Sequence, residues 1–344
     1  MFLLREFFKS FVFSRKKRIG FVLSVLPTPY YGRIMASTRL RVYDIINAFK
    51  DHPVYFLELY KPLKKYDIVI FQKKFDEKAL ELAKKLKQQG IKIVLDVNVN
   101  YYDPTILGVL NKDESANHPK ILKFTELADG VIASTDYIKD YAKRFFPEKN
   151  IVSIPENITH PFFAVRKKIR DNEPLTLLYV GYAVKAPEIL DIQDVLKQLH
   201  KKYHFRLLLI CEKNPYLTIP GIEIDFRPYQ QKTIHHDMLH GDIFIAPRDL
   251  TQSYNLGHSF TKIGYPMSVG IPVVASEVPS YEGSPAVLCK NRGDWYNNLN
   301  SLLESKKQRK ILAKKGILYC QEHFSVPVTR NRYESFFQTL LQEQ

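Results

Sequence analysis

Short apolar runs alternate with amphipathic stretches along most of the chain. Runs such as Arg18–Leu26 and Ile91–Val97 are apolar almost throughout, which is typical of strands buried on both faces of a parallel sheet. Between such runs, the stretch Asp76–Gln89 places its leucines and alanines at helical spacing, and Gly90 follows as a helix-ending residue. This alternation of strands and helices predicts an α/β fold.

The first series of elements extends over residues 18–155. Its predicted strands are Arg18–Leu26, Val54–Leu59, Asp67–Gln72, Ile91–Val97, Gly130–Ser134 and Ile151–Ile154. Its predicted helices are Ser37–Phe49, Asp76–Gln89, Lys120–Leu127 and Thr135–Phe145. Residues 156–174 follow with prolines, a basic cluster and no periodicity, so we interpret them as a linker.

A second series begins after the linker and covers residues 175–325, with a final helix in residues 326–344. Its predicted strands are Leu175–Val180, Arg206–Cys211, Ile222–Phe226, Asp242–Ala246 and Ile271–Ser276. Its predicted helices are Pro187–Tyr203, Ser259–Val269, Gly293–Leu303, Lys307–His323 and Val328–Glu343. Two such series predict two Rossmann-like domains that face each other across a cleft, with ligands beyond the carboxyl ends of the strands.

Composition narrows the class of protein. The 344 residues give room for two domains, and no apolar run is long enough to span a membrane. Three widely spaced cysteines exclude a disulfide framework and favour a reducing, cytoplasmic setting. The net charge of +15 predicts an anionic partner, but the basic residues are dispersed and no nucleic-acid-binding signature occurs, so we expect no nucleic acid.

The first 17 residues form a separate segment. Met1–Phe13 places four apolar side chains on one helical stripe, namely Leu4, Phe7, Phe8 and Phe11. The basic run Arg15–Arg18 follows directly, which is the wrong order for a signal peptide and suits the anionic inner face of a cell membrane. The alternative is a helix that packs its phenylalanines on the protein's own core.

Polar residues follow the strands of both series. In the first series, Arg39 and Arg41 stand at the start of a helix, and Asp96 and Asn98 end a strand. These groups suit an anion or a polyhydroxyl ligand, although helix capping and turn chemistry explain them equally well. In the second series we predict a diphosphate site from groups that lie after strands or at a helix start: Gly181, Lys185, Arg248, Ser259, Thr261, Lys262 and Tyr281.

The second series also carries a family resemblance. Leu178–Gly181, Asp242–Asp249 and Asn255–Ser276 resemble the nucleotide-sugar domain of family-4-like glycosyltransferases with the GT-B fold. Ser37–Tyr43 and Ala128–Thr135 look like the acceptor domain of the same family. The resemblance implies hexosyl transfer, with retention, from a nucleotide-diphosphate sugar to a lipid-linked or polysaccharide acceptor. It also implies no metal cofactor, which agrees with the lack of an Asp-x-Asp motif.

The resemblance fails at two glutamates that the family usually carries. Counted back from Gly270, one position falls on Tyr265 and the other near His258. We therefore take His258, Asp249 and Glu282 as the candidate catalytic residues. The open alternatives are a non-catalytic binding or scaffold protein of the same shape, and a polyol-phosphate transferase on the same fold.

Overall fold

Two six-stranded sheets organise the chain. The computed structural model describes residues 16–24, 36–108, 112–169 and 174–342, so the predicted amphipathic segment Met1–Phe13 lies outside the described residues. The strands of the first sheet are β1 Lys17–Leu23, β2 Tyr55–Leu59, β3 Ile68–Gln72, β4 Lys92–Val97, β5 Gly130–Ala133 and β6 Ile151–Ser153. Those of the second sheet are β7 Thr176–Val180, β8 Arg206–Cys211, β9 Ile224–Pro228, β10 Ile243–Ala246, β11 Val273–Ser276 and β12 Val287–Cys289.

Helices connect these strands. Helix α1 has three parts, Ala36–Thr38, a π-helical stretch Arg39–Tyr43 and Asp44–Ala48. The next helices are α2 Glu77–Gln88, α3 His118–Leu127, α4 Asp136–Lys143, α5 His160–Ala164 and α6 Gln193–Tyr203. The remaining ones are α7 Ile234–Asp237, α8 Ser253–Leu256, α9 Thr261–Ser268, α10 Arg292–Glu304, α11 Lys306–Phe324 and α12 Val326–Gln342. Short 3₁₀ segments are Ser115–Asn117, Ala183–Ile192, Met238–His240 and Pro279–Tyr281.

Both sheets are parallel and doubly covered. The strand orders are β2-β1-β3-β4-β5-β6 and β12-β11-β10-β7-β8-β9. In the first sheet, Val69 and Phe71 pack with α2, α3 and α4, whereas Ile68 and Ile70 pack with α1 and α12 on the other face. Burial of both faces explains why the strands are apolar throughout. The predicted α/β architecture with two Rossmann-like domains is therefore confirmed.

The final helix returns to the first domain. Helix α12 buries Tyr333, Phe336, Phe337 and Leu340 in the core that lies under α1 and the first sheet. The chain passes between the domains twice, and the two passages lie side by side, because the Ile158 N–H donates to the Phe324 carbonyl at 2.7 Å. The first domain thus depends on the last residues of the chain, which the sequence pattern alone does not reveal.

Some predicted elements differ from those in the structure in their type or in the residue at which they begin. The helix expected over Pro187–Tyr203 begins as a 3₁₀ segment at Ala183, and regular α-helix starts only after Pro187, at Gln193. The helix expected from Ser259 begins at Thr261, and the Ser259 hydroxyl accepts the Thr261 N–H just before the first turn. Within the stretch that we interpret as a linker, residues 156–158 are buried and α5 follows them.

The carboxyl ends of the two sheets face each other across a cleft. Asn100, beyond β4, donates to the Ser253 hydroxyl in α8 of the second domain at 3.1 Å. The Tyr137 hydroxyl of α4 lies 3.5 Å from the same serine. Among the described residues, no helix is both long and apolar enough to cross a membrane.

Candidate active site

Lys262 lies in the first turn of α9, but its side chain points back toward the end of β7. The ammonium donates to the Val180 carbonyl at 2.5 Å and lies 4.0 Å from the centre of the Tyr179 ring. A Cβ on Gly181 would approach the Lys262 Nζ to 2.8 Å. The glycine after β7 therefore leaves the space in which this lysine can reach the cleft.

Arg248 follows β10 and stands at the centre of the site. Its backbone N–H donates to the Ser276 hydroxyl at 2.8 Å, which ties the loop after β10 to the end of β11. The guanidinium is 3% exposed and lies 2.5 Å from a Glu188 carboxylate oxygen. Its Nε has no hydrogen-bond partner within the described part of the chain. A buried donor without a partner costs about 1–3 kcal/mol, so it favours an acceptor from a ligand.

Glu188 is the functional carboxylate that sequence reasoning missed. Besides Arg248, its carboxylate contacts the Lys185 ammonium at 3.3 Å. Lys185 lies above the Tyr254 ring, 5.1 Å from its centre. Lys185 and Arg248 thus share one carboxylate. The only sequence signal is the spacing of three residues between Lys185 and Glu188, because Arg248 lies 60 residues further on.

The pKa shift of Lys262 indicates that positive charge is in excess at the site. Burial and the neighbouring Arg248 guanidinium lower the pKa of Lys262 well below its ordinary value. Burial opposes the charge of Arg248 as well, yet Glu188 raises the pKa of its guanidinium above the usual range. An added anion would therefore be attracted by every cation here.

His258 is neutral in this setting. Burial, Arg248 and Lys262 lower the pKa of its imidazole well below the ordinary value. Its Nε2 lies 3.1 Å from Arg248 Nη2, and because a guanidinium only donates, Nε2 must be the acceptor. The proton therefore resides on Nδ1, 3.4 Å from the Ser259 carbonyl. His258 thus holds the Arg248 guanidinium in place.

The other predicted residues of these loops divide into two groups. Tyr281 is buried beside the Arg248 guanidinium, and burial raises the pKa of its phenol to about 12. Asp249 instead accepts the Thr251 N–H and hydroxyl, which lower the pKa of its carboxyl and fix the loop. Glu282 is exposed to solvent one residue beyond Tyr281. Of the three candidate catalytic residues, only His258 contacts the cation cluster.

A second polar network joins the domains beneath the cleft. The Ser259 hydroxyl, at the start of α9, donates to the Glu156 carboxylate and contacts the Thr261 hydroxyl at 3.1 Å. Glu156 lies 3.5 Å from the Arg41 guanidinium, which binds both oxygens of Asp96 at 2.7 Å. The network therefore runs from the π-helical stretch of α1 and the end of β4 to the helix that carries Lys262.

The predicted acceptor contacts of Arg41 and Asp96 have to be corrected for this reason. Their side chains are 1% and 0% exposed, and each satisfies the other inside the first domain. Burial raises the pKa of Asp96, and the Arg41 guanidinium opposes that rise. Two charges that are buried and paired with each other are structural groups of the protein instead of contacts on the cleft wall.

Arg39 and Asn98 lie nearer to the cleft. The Arg39 guanidinium is 3.6 Å from Asp44 and lies beside the hydroxyl of Tyr265, which occupies the position of the missing glutamate. Tyr265 stacks on Phe162 with ring centres 4.2 Å apart. The Asn98 side-chain oxygen has no partner among residues that the structure describes. In the same described ranges, no group of three acidic, histidine or cysteine side chains could hold a metal ion.

Comparisons with known proteins agree on the fold. No protein-family model matches the sequence, and no curated protein matches it. A glycosyltransferase from Rickettsia africae is similar in structure at a TM-score of 0.65 and 12% identity, over 96% of this chain and 100% of that one. HepE from Anabaena, in complex with UDP and glucose, is similar at a TM-score of 0.64 and 13% identity, over 94% of this chain and 100% of that one. Sucrose-phosphate synthase from Thermosynechococcus elongatus is similar at a TM-score of 0.60 and 14% identity, over 81% of this chain and 75% of that one. This chain has the fold of the GT-B glycosyltransferases.

Proposed function

We propose that this protein is a glycosyltransferase that takes its sugar from a nucleotide-diphosphate sugar. The observation that carries the proposal is the pairing of Lys185 and Arg248 with Glu188, together with Lys262 beside the glycine after β7. Such a cluster at the carboxyl ends of parallel strands is suited to a diphosphate. Two similar structures were solved with UDP or UDP-glucose, which supports the same class of donor.

In the proposed reaction, the bond between the sugar's anomeric carbon and the diphosphate oxygen breaks. The diphosphate oxygen keeps the electron pair, and the acceptor oxygen forms the new bond to the anomeric carbon while its proton passes to the leaving diphosphate. Lys262 and Arg248 stabilise the charge that develops on the leaving diphosphate, and the N-terminus of α9 adds its dipole. Neutral His258 and buried Tyr281 keep Arg248 aimed into the cleft.

The proposal extends to three finer points. Because protein cations stand where a diphosphate needs counter-charge, we propose transfer without a metal ion. Hexosyl transfer with retention rests on the resemblance of Asn255–Ser276 alone. A lipid-linked or polysaccharide acceptor, and docking at the anionic cytoplasmic face of a membrane, are supported by the basic run Arg15–Arg18 and the net charge of +15.

A turnover assay tests this function. The full chain is incubated with UDP-, GDP- and ADP-linked sugars, a lipid extract and EDTA, and release of the nucleoside diphosphate is followed. We expect one donor to be turned over, and Lys262→Met to abolish release while Lys310→Met, an exposed lysine on α11, leaves it unchanged. Activity that requires Mg²⁺ would overturn the metal-independent mechanism.

A non-catalytic protein of the same fold is the second candidate. Tyr265 favours it, because a buried phenol stands where the family usually has a glutamate. Burial raises the pKa of Tyr265, so the residue has no charge to offer. Tight binding of a nucleoside diphosphate without turnover of any nucleotide sugar would support this candidate over the first.

A further inference from the structure

The edge of the first sheet carries exposed apolar side chains. Strand β2 is the outermost strand of that sheet, and Phe56 on it is 40% exposed, with Val54 just before it 48% exposed. The Arg18 guanidinium of β1 lies over the Phe56 ring, 5.6 Å from its centre. The same arginine lies 3.8 Å from Glu58. Apolar and basic groups thus alternate along this edge.

The loop from β2 to β3 continues this surface. Leu63 at its tip is 100% exposed, so it contributes nothing to the core. Lys61 and Lys64 flank it and contact Glu58 at 3.0 and 2.9 Å, and Lys65 follows, also exposed. A leucine held completely in water between lysines is the arrangement in which an apolar tip enters a lipid surface and the lysines stay at the headgroups.

We call this surface the edge patch, and it is strongly basic. It consists of two acidic residues, Glu58 and Asp67, with the apolar Val54, Phe56 and Leu63 and the basic Lys16, Lys17, Arg18, Lys61, Lys64 and Lys65. Contacts join part of the patch, because Lys17 pairs with Asp67 at 3.4 Å and Arg18 joins Phe56 to Glu58. The basic run that leads out of the amphipathic segment ends in it.

We propose that the edge patch is the surface by which this protein docks on an anionic lipid bilayer, with Leu63 inserted at the headgroup boundary. The proposal rests on the membrane association proposed above and names the surface responsible for it. Six cations against two carboxylates are complementary to a layer of anionic headgroups. The patch also belongs to the domain that the resemblance assigns to the acceptor.

One other surface competes for this role. Helix α11 places Lys307, Lys314 and Lys315 around Ile311 and Leu318, which are 45% and 46% exposed. Both of these apolar side chains are half covered by the protein, whereas Leu63 is entirely uncovered. The α11 face lies in the second domain and does not continue from the basic N-terminal run. It therefore provides a matched control of similar charge and apolar content.

Vesicle co-sedimentation tests the assignment. The full chain is mixed with phosphatidylcholine vesicles that contain phosphatidylglycerol, and with pure phosphatidylcholine, at increasing salt. We expect binding to the anionic vesicles only. The double variant Lys61→Gln, Lys65→Gln should weaken vesicle binding about 30-fold, because each lysine near an anionic surface contributes about 1 kcal/mol. The variant Leu63→Ser should weaken it about tenfold, because it removes the inserted apolar side chain. Lys314→Gln with Lys315→Gln, and Leu318→Ser, should change it less than threefold.

The outcomes separate this inference from the proposed transfer reaction. Equal losses from both sets of variants would overturn the edge patch and indicate diffuse attraction of a basic protein. Failure of the full chain to bind anionic vesicles at low salt would overturn membrane docking altogether. UDP binding by the same sample would still support the donor site. Melting temperatures of the variants should match that of the full chain, since every changed side chain is exposed.

Discussion

Glu188 sets the charge balance of the candidate site at the scale of single residues. Its carboxylate lies 2.5 Å from Arg248 and 3.3 Å from Lys185, so in the absence of a ligand it is the anion that these cations bind. A diphosphate has to compete with it. The same contact stabilises the protein, because Arg248 would otherwise be a buried cation without a counter-charge.

These two effects predict that Glu188→Gln changes stability and affinity in opposite directions. The variant should melt at a lower temperature, because the charge of Arg248 is no longer neutralised. It should bind UDP or pyrophosphate several-fold more tightly, because no internal carboxylate competes for Arg248 and Lys185. Calorimetric titration beside thermal melting measures both. Weaker binding by Glu188→Gln would mean that the carboxylate positions the cations for the ligand.

The depressed pKa of Lys262 predicts how binding depends on pH. Burial and Arg248 favour the neutral amine in the free protein, whereas a bound diphosphate favours the ammonium. Binding should therefore take up a proton, and affinity should fall as the pH rises through the pKa of the free protein. Titrations in two buffers of different ionisation enthalpy, at a pH where the diphosphate is fully ionised, measure the uptake. Lys262→Met should abolish it; an unchanged uptake would assign the proton elsewhere.

Individual residues of the site were predictable to different degrees. Lys262 and Arg248 follow from the rule that ligands bind beyond the carboxyl ends of strands, because each stands directly after a strand or at a helix start. The partner of Arg248 was not predictable, since Glu188 lies in a 3₁₀ segment whose contact with Arg248 depends on the order of strands. Arg41 and Asp96 were predicted as ligand contacts but form a buried ion pair, and the sequence alone does not distinguish these two arrangements.

At the scale of elements, the Asp96–Arg41–Glu156 network connects a helix of each domain. It links the π-helical stretch of α1 to the start of α9 through Ser259. The Arg41 guanidinium also donates to the Ile154 carbonyl at 3.1 Å, near the point where the chain leaves the first domain. The orientation of the proposed diphosphate helix is thus tied to the first domain by buried charges.

This arrangement predicts a large cost for breaking the network. Arg41→Ala leaves the carboxylates of Asp96 and Glu156 buried without their cation, which should lower the free energy of unfolding by about 3–5 kcal/mol. Arg39→Ala, which removes a partly exposed partner of Asp44, should cost about 1 kcal/mol or less. Urea denaturation of the full chain compares them. If Arg41→Ala kept normal stability but no longer transferred the sugar to the acceptor, the acceptor role first predicted for Arg41 would be supported instead.

Periodicity predicted most elements, because strands covered on both faces and amphipathic helices leave clear patterns. Helix α12 was predicted as a helix but not as part of the first domain. Its Tyr333 and Phe337 complete a core whose members outside α12 lie between Ile19 and Ile154. Such long-range pairing leaves no local signal. One boundary was wrong near a proline, because the segment that contains Pro187 is a 3₁₀ helix and regular α-helix starts only at Gln193.

At the scale of the whole molecule, two parallel sheets place two sets of strand ends across one cleft. Cations gather on the side of the second domain, and buried paired charges lie beneath the side of the first. The net charge of +15 favours anionic ligands on the donor side and an anionic surface at the edge patch. The similar solved structures, at identities of 12–14%, share the fold of this chain.

The central claim is that the second domain binds a diphosphate through Lys262, Arg248 and Lys185. Calorimetric titration of the full chain with uridine, UMP and UDP in EDTA tests it most directly, with Lys262→Met as the variant and Lys310→Met as the control. We expect UDP to bind far more tightly than uridine, and we expect Lys262→Met to remove most of this difference while uridine binding stays the same. Equal affinity for uridine and UDP, or equal loss of both in Lys262→Met, would contradict it.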